Sequence, residues 1–299
     1  MESATVQPQV KRVTTLMRLN LLIGSVLPFL AGLSLFVGTN DTDRYSAWTI
    51  DSAITAAFIG AAYWAGFFIT FVSGLERVWA YARVAIPTVT VFTVCGLLST
   101  IIHDDRFHTD SGRAITQAVT WLWLAPYFAG LLWLLLVVFL QLRAPGGDPP
   151  RVARLPGWLR AVLAVQGLAL LGVGLALFIS PLDVADAIWP WKLTPLTGRV
   201  VGAWLLALGV GCVSVIIEND WRRSRAAAFT YAVFGALELV VLARYSDDVD
   251  FGETRTIVYV IALVSILLVG LYAAVKAQRI ASGATDTVDA SWHATSAAP

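Results

Sequence analysis

Eight apolar runs of roughly 20 residues each restrict the fold of this chain more than any other feature. A helix of that length crosses a bilayer, and it satisfies its own backbone hydrogen bonds where water is absent. Only 14% of the residues are charged, against about 25% in a soluble domain. We therefore predict an all-α polytopic membrane protein with eight transmembrane helices, within residues 17–37, 53–75, 82–102, 116–141, 158–180, 198–217, 225–245 and 255–276.

The lysines and arginines predict the orientation of these helices. Fourteen of the 21 fall on the side that also holds both chain ends, whereas the loops on the other side are rich in aspartate. Because cytoplasmic loops carry the excess of Lys and Arg, both termini are predicted to be cytoplasmic. The net charge of +1 leaves no basic domain for a nucleic-acid partner. The lipid bilayer is therefore the first predicted partner.

The sequence repeats itself at an offset of 142 residues. Arg18 matches Arg160, and GLSLF at 32–36 matches GLALF at 174–178. A fixed period of this kind indicates a duplicated structural unit. Each unit holds four helices, and an even number returns the chain to its starting side. The two four-helix repeats are therefore predicted to be parallel, as in some duplicated transporters.

The repeat and the composition predict the domain boundaries. We expect a cytoplasmic N-terminal tail at 1–16, four-helix repeats at 17–141 and 158–277, a cytoplasmic Pro- and Gly-rich linker at 142–157, and a disordered cytoplasmic tail at 278–299. The first helix has the pattern of a signal peptide, but its counterpart in the second repeat lies in mid-chain. We therefore expect it to be retained.

Small residues shared by both repeats are interpreted as helix-packing faces. They recur at a spacing of four on the second helix of each repeat, and such spacing permits close helix approach in lipid. The alternative is a wall of small residues around a ligand cavity. The residues are Ala57, Ala61 and Ala65 in the first repeat, and Ala203, Ala207 and Gly211 in the second.

The hairpins on the cytoplasmic side also share a pattern. We interpret its members as aromatic and basic anchors at the membrane surface, with a Glu–Arg pair closing each hairpin. The alternative is a site for anionic lipid or a partner protein. The matched residues are Glu76, Trp79 and Arg83 in the first repeat, and Glu218, Trp221 and Arg225 in the second.

Function is expected where the repeats differ, and IWPWKLTPLTGRVVGAW at 188–204 is the clearest difference. Its prolines predict extended chain up to Thr194, which caps a helix that begins at Pro195. Trp189 and Trp191 have the position of an aromatic belt at the membrane surface. The alternative is a site in which both rings and Lys192 hold a lipid head group or an aromatic ligand.

Glu238 is a second difference, because its counterpart is Gly96. It lies inside an apolar run, about 9 Å of helix before Arg244. A carboxyl group at membrane depth suggests a function. It could carry a proton, bind a cation or pair with a substrate amine. The alternative is a neutral, hydrogen-bonded glutamate that ties two helices together.

The remaining signals argue against an enzyme. His103 and His108 in HDDRFH have metal-ligand chemistry, but the second repeat lacks both, and a solvated loop is the favoured interpretation. No HExxH, CxxC, P-loop or Ser-His-Asp set is recognised, so no cofactor is predicted and a non-enzymatic role is favoured. Pro126 is expected to kink the fourth helix, which could open a crevice near Trp123 and Tyr127.

The stretch WPWKLTPLTGRVVGAW and the four-helix context of residues 158–245 resemble uncharacterised bacterial multi-pass proteins, especially actinobacterial ones. More loosely, they resemble the DoxX-like four-helix membrane families. The resemblance implies the four-helix unit and a bacterial inner membrane. It transfers no functional residue to this chain.

The leading functional hypothesis is binding or movement of a small amphiphile or lipid in a cavity between the repeats. Its predicted polar and aromatic contacts are Glu238, Lys192, Trp189 and Trp191. One alternative is a non-catalytic accessory or scaffold subunit that packs against another membrane protein. The other is an intramembrane enzyme.

Overall fold

The computed structural model describes residues 9–296, with side chains as far as Gly283 in the last helix. Apart from two isolated β-bridges, the regular structure of this part is entirely helical. Eight of its helices are long and apolar enough to cross a membrane, which confirms the predicted eight-helix, all-α membrane architecture. These spans are Thr15–Val37, Ala53–Leu75, Ala85–Ile102, Ala114–Leu142, Gly157–Ile179, Pro195–Glu218, Arg225–Arg244 and Thr254–Gly283.

Two of the spans are interrupted. The first consists of α1 (Thr15–Gly24) and α2 (Val26–Val37), and the fourth of α7 (Ala114–Ala125) and α8 (Leu131–Leu142). The other spans are α4 (Ala53–Leu75), α6 (Ala85–Ile102), α9 (Gly157–Ile179), α11 (Pro195–Glu218), α12 (Arg225–Arg244) and α13 (Thr254–Ser296), and the short helices α3 (Thr42–Tyr45), α5 (Trp79–Ala82) and α10 (Pro181–Ile188) lie in connections.

The start of α11 follows from its sequence. Thr194 caps the helix, its hydroxyl accepts a hydrogen bond from the Thr197 backbone N–H, and Pro195 occupies the first turn. This confirms the predicted cap. At the other end of the chain, α13 continues to Ser296, and residues 297–299 lie outside the described part. The disorder expected for residues 278–299 therefore stays a prediction.

The loops gather at two ends of the helix bundle. At one end, which we call the arginine-rich end, the Trp79 N–H donates to the Lys11 carbonyl and the Trp221 N–H donates to the Ala153 carbonyl. At the other end, which we call the aspartate-rich end, the Thr39 and Tyr245 hydroxyls lie 2.7 Å apart. The two ends correspond to the two sides that the charge pattern distinguishes.

The helices α4 and α11 form the centre of the bundle. In the most apolar 18-residue stretch of each span, 72% of the residues are buried in α4 and 67% in α11. The corresponding fraction is 22% in the first, fourth and fifth spans. The central helix α4 packs against α2 and α12, and α11 packs against α9 and α6. Glycines permit the closest approaches, because a Cβ atom added to Gly60 would lie 2.4 Å from the Phe36 nitrogen. The peripheral spans are therefore the ones that face lipid.

Candidate functional site

A cavity of about 950 Å³ lies between the first span and the helices α4, α6, α7 and α8. Its volume is at the upper end of the range for ligand pockets. It extends from Leu16 near the arginine-rich end to Tyr45 near the aspartate-rich end. Several side chains at its edge are more than one-third exposed, so it opens sideways at the surface that faces lipid; they are Leu19, Ile23, Leu33, Leu122 and Trp133.

The inner wall of the cavity is aromatic. Trp204 from α11 stacks on Phe92 from α6, with ring centroids 3.9 Å apart, and meets Tyr63 from α4 edge-on at 4.9 Å. The hydroxyl groups of Tyr63 and Tyr127 lie 3.0 Å apart and share a hydrogen bond. Both tyrosines are 5% exposed. The aromatic wall therefore presents flat apolar rings and a single pair of hydroxyls.

The fourth span is widened where Pro126 enters it. Residues Pro126–Gly130 form a π-helical turn between α7 and α8, because proline has no N–H to donate and its ring displaces the preceding turn. Such turns often occur at functional sites. Tyr127 lies in this turn and packs against Gly96, where a Cβ atom would lie only 2.1 Å from the tyrosine ring. Pro126, Trp123 and Tyr127 all line the cavity, so the cavity extends along this π-helical turn.

The matching region of the second half is nearly closed. The pocket between α9, α11, α12 and α13 has a volume of about 40 Å³. There the Gln166 side-chain amide donates to the Ser265 hydroxyl at 2.7 Å, and the Tyr231 hydroxyl donates to the Gln166 carbonyl oxygen at 3.2 Å. The residues 142 positions earlier than Gln166 and Ser265 are Gly24 and Trp123. The first half therefore lacks a counterpart of the Gln166–Ser265 hydrogen bond.

The small residues of the central helices serve two purposes. Ala61 and Ala203 are buried between helices and do not line the cavity, whereas Ala65 and Ala207 form part of its wall. Different members of one stripe therefore lie in helix contacts and in the cavity wall. The aromatic wall itself was not identified from the sequence, although Gly24 in place of Gln166 was a visible signal.

Trp189 and Trp191 lie inside the protein rather than at a membrane surface. They are 3% and 7% exposed. The Trp191 indole N–H donates to the Thr55 hydroxyl at 2.9 Å, and both rings contact Phe58 of α4. Belt aromatics would face the membrane interface, so that interpretation is wrong for these two rings. Lys192, between them and α11, is exposed.

Glu238 is fully buried in α12, and neither carboxyl oxygen has a hydrogen-bond partner. The Tyr259 hydroxyl of α13 interacts with it electrostatically and has no hydrogen-bond partner either. The Tyr259 ring lies 5.3 Å from that of Trp189. The structure therefore brings Glu238 and the two tryptophans into one region. None of the four predicted contacts, Glu238, Lys192, Trp189 and Trp191, lines the cavity.

Carboxylates and arginines form a cluster at the arginine-rich end. Arg83 is bound to Glu218 through two hydrogen bonds, with the Nε–Oε1 distance at 2.5 Å. Glu76 is bound by two nitrogens of Arg222, at 2.6 and 2.8 Å, and lies 3.3 Å from the Nε of Arg225. The Glu–Arg pair expected within each hairpin is therefore wrong for Arg83 and Arg225, because each contacts the glutamate of the other half.

The two carboxylates of the cluster are shielded from solvent, since the Glu76 and Glu218 side chains are 6% and 10% exposed. Trp79 and Trp221 are 4% and 6% exposed, so the interpretation of these two rings as anchors at the membrane surface is wrong. The hydrogen bonds that Arg83 donates to Glu218 raise the pKa of Arg83, which keeps the guanidinium charged. Such bidentate pairs fix geometry as well as contribute energy. The cluster therefore holds the connections of the two halves together at this end.

The two histidines have separate partners. The His103 Nε2 accepts a hydrogen bond from the Arg199 guanidinium at 2.8 Å, and His108 contacts the Thr49 hydroxyl at 3.0 Å and the Ser46 carbonyl at 3.2 Å. In the described part of the chain, no group of three or more His, Cys, Asp or Glu side chains is placed to hold a metal ion. The histidines therefore act as hydrogen-bonding groups in the loops.

The described part of the chain thus contains an open apolar cavity and, apart from it, the buried carboxyl group of Glu238, which has no hydrogen-bond partner. Comparison with known proteins adds no assignment, because no family model, curated protein or solved structure matches this chain.

Proposed function

We propose that this protein binds a membrane lipid, or another amphiphile with a long apolar part, in the cavity of its first half. The observation that carries the proposal is the cavity itself, with its volume of about 950 Å³ and its opening on the lipid-facing surface. The hydrophobic effect favours transfer of an apolar ligand from water into an apolar cavity, but it does not favour transfer from lipid into that cavity. Shape and aromatic contacts must therefore select it from the bilayer.

The lining indicates the form of the ligand. Leucine, isoleucine and alanine side chains line most of the length, and they suit a saturated or isoprenoid chain lying parallel to the helices. The stacked rings of Phe92 and Trp204 suit a flat group. The Tyr63–Tyr127 pair offers the hydrogen bonds that an apolar site uses to orient its ligand.

The same proposal includes two parallel four-helix repeats. The packing of α4 on α12 has its counterpart 142 residues away in the packing of α11 on α6. The pair Arg83–Glu218 likewise has its counterpart in Arg225–Glu76. Reciprocal contacts of this kind are expected around a pseudo-twofold axis. They support an internal duplication in which α11 of the second half contributes Trp204 to the aromatic wall.

We further propose a bacterial inner membrane with both termini in the cytoplasm, so that the arginine-rich end is cytoplasmic. The excess of Lys and Arg at that end supports this orientation. Because the cavity reaches from near one end of the bundle to near the other, the ligand would be able to move between the two leaflets. Transport is therefore a natural extension of binding.

The direct ligand contacts in this proposal are the residues of the cavity wall. Glu238, Trp189, Trp191 and Lys192 remain outside it. The rings of Trp189 and Trp191 contact Phe58. Phe58 in turn contacts Phe234, which lines the cavity, with ring centroids 6.0 Å apart.

The experiment is mass spectrometry of the lipids retained by the protein in native nanodiscs, for wild type, Gly24→Trp and Gly172→Trp. Gly24 lines the cavity and has open space around its Cβ position, and Gly172 has equal space but lies on the second-half helix α9. We expect a specific lipid or metabolite that is lost only in Gly24→Trp. Bulk lipid alone in all three, with a stoichiometric second protein, would instead favour the accessory-subunit alternative.

A further inference from the structure

The carboxyl group of Glu238 is enclosed without any partner. Its side chain is 0% exposed, and neither oxygen accepts or donates a hydrogen bond. An ionised carboxylate in such surroundings is strongly destabilised, whereas the neutral acid is tolerated. We propose that Glu238 is a proton-binding site: its carboxyl carries a proton in this packed arrangement and exchanges it with water from the aspartate-rich end.

The helices packed against α12 bring no charge to this group. From α13 the titratable neighbour is Tyr259, whose hydroxyl interacts with the carboxyl. From α4 the nearest titratable side chain along the helix is Tyr63, which is bound to Tyr127. From α11, Arg199 is bound to His103.

The other polar side chains of α12 are engaged elsewhere. Tyr231, two turns before Glu238, donates to Gln166. Arg244, at the end of the helix, donates to the Phe36 carbonyl at 2.6 Å. Among the described side chains, no cation is therefore placed to stabilise an ionised Glu238.

The two other buried glutamates show the contrast. Glu76 and Glu218 lie at the arginine-rich end, and each has arginine nitrogens within 3 Å. Their charges are compensated, so they have no reason to hold a proton. Glu238 is also buried, but no arginine compensates a charge on its carboxyl group.

A series of unpaired polar groups leads from the aspartate-rich end towards Glu238. Thr256 lies in the first turn of α13, and Tyr259 lies about one turn deeper. The hydroxyls of both, and the indole N–H of Trp189, are buried without a hydrogen-bond partner. Buried polar groups of this kind usually bind ordered water. Water entering here would reach the carboxyl and supply the path for proton exchange.

The proton site stands independently of the lipid cavity. Glu238 lies one helical turn from Phe234, a cavity residue, so the two sites can influence each other. Each can nevertheless exist without the other, and loss of retained lipid in Gly24→Trp reports only on the cavity.

The test is infrared difference spectroscopy of wild type and Glu238→Gln in lipid nanodiscs, first in H₂O and then in D₂O. A protonated carboxylic acid has a carbonyl stretching band that a carboxylate and a glutamine lack. We expect this band in wild type, its loss in Glu238→Gln, and its isotopic shift after transfer to D₂O. Glu76→Gln is the matched control and should leave the band unchanged.

Two results would overturn the proposal. If wild type and Glu238→Gln have the same spectrum in the carboxylic-acid region, Glu238 is ionised. If the band persists in D₂O without a shift, the acid is a closed structural group and not an exchanging site. If Glu238→Gln does not fold, wild type can be labelled with a hydrophobic carbodiimide instead. This reagent modifies protonated carboxyl groups, so it tests the protonation of Glu238 directly. We expect labelling at Glu238 and not at Glu76 or Glu218, and the opposite pattern contradicts the proposal.

Discussion

The guanidinium group of Arg83 and the carboxylate of Glu218 form a two-point ion pair that joins the two halves of the chain. The Nε–Oε1 and Nη2–Oε2 distances are 2.5 and 2.9 Å. Arg223 also binds Glu218, at 2.9 Å. The Glu218 side chain is 10% exposed and that of Arg83 is 28% exposed, so the pair is shielded from water mainly at the carboxylate. It fixes the arginine-rich ends of α6 and α11 relative to each other.

Loss of this carboxylate is expected to destabilise the protein. Glu218→Gln leaves Arg83 and Arg223 without their main counter-charge, and charge-assisted hydrogen bonds of this kind contribute about 2 kcal/mol each. Because Arg83 is partly exposed, we expect a decrease of about 2 to 3 kcal/mol in the free energy of unfolding, measured by denaturant titration in mixed micelles.

The matched control is Asp105→Asn. It removes the pair between Asp105 and Arg106, whose side chains are 66% and 69% exposed. Exposed pairs contribute about 0–1 kcal/mol, so little change is expected. Equal effects of the two substitutions would contradict the structural role assigned to the Arg83–Glu218 pair.

The close packing of α2 on α4 depends on the absence of a side chain at Gly60. Its added Cβ atom would lie 2.4 Å from the backbone nitrogen of Phe36, and backbone gives way less easily than a side chain. We expect Gly60→Ala to lower the free energy of unfolding by about 1–3 kcal/mol. Gly172→Ala, on the open face of α9, should have no cost or should stabilise its helix by up to about 1 kcal/mol. A neutral Gly60→Ala would show that these helices are not in close contact.

The open cavity and the closed second half differ by a hydrogen-bonded bridge. Gly24→Gln combined with Trp123→Ser places the second half's pair, Gln166 and Ser265, at the matching positions of the first half. We expect this double variant to retain several-fold less specific lipid than wild type, measured by lipid extraction and mass spectrometry. Gly172→Gln is the control for an added glutamine on a lipid-facing helix. If the folded double variant retained as much specific lipid as wild type, the cavity would not be the site of lipid binding.

His103 should titrate at a lower pH than an isolated histidine. Partial burial, followed by the nearby charge of Arg199, lowers its pKa from the ordinary value of 6.5. Since the folded state binds the proton less readily than the unfolded state, stability is highest above 6.5 and falls as the pH decreases through the window between the two pKa values. A histidine-selective NMR titration should find the midpoint below 6.5 in wild type and closer to 6.5 in Arg199→Gln. A midpoint above 6.5 in wild type would contradict the contact.

Much of the fold could be predicted from the sequence, because bilayer thickness imposes one length on every span. The apolar runs therefore located all eight helices, and the proline rule located the start of α11 at Pro195. The ion pairs were beyond such reasoning. Pattern alone placed Glu76 near Arg83 and Glu218 near Arg225, but which guanidinium reaches which carboxylate depends on how the two halves meet.

The candidate site was only partly visible in the sequence. Burial of Glu238 followed from its apolar neighbours, whereas the cavity results from the combined shape of six spans. The repeat aligns Gly24 with Gln166 and Gly96 with Glu238. These two differences were local signs that the interiors of the two halves differ. Their consequence, an open groove beside Tyr127 in one half and a closed one in the other, required the packing of the helices.

The most direct test of lipid binding is photo-crosslinking of the protein in native membranes with a lipid analogue that carries a diazirine along its acyl chain, with adducts mapped by mass spectrometry. Tyr63 and Tyr127 are 5% exposed and form the cavity wall, Trp158 is 54% exposed on α9, and Phe58 is buried away from the cavity. We expect adducts on Tyr63 or Tyr127 that an excess of unlabelled lipid extract removes, non-competed adducts on Trp158, and none on Phe58. Adducts confined to exposed residues such as Trp158 would contradict the binding of lipid in the cavity.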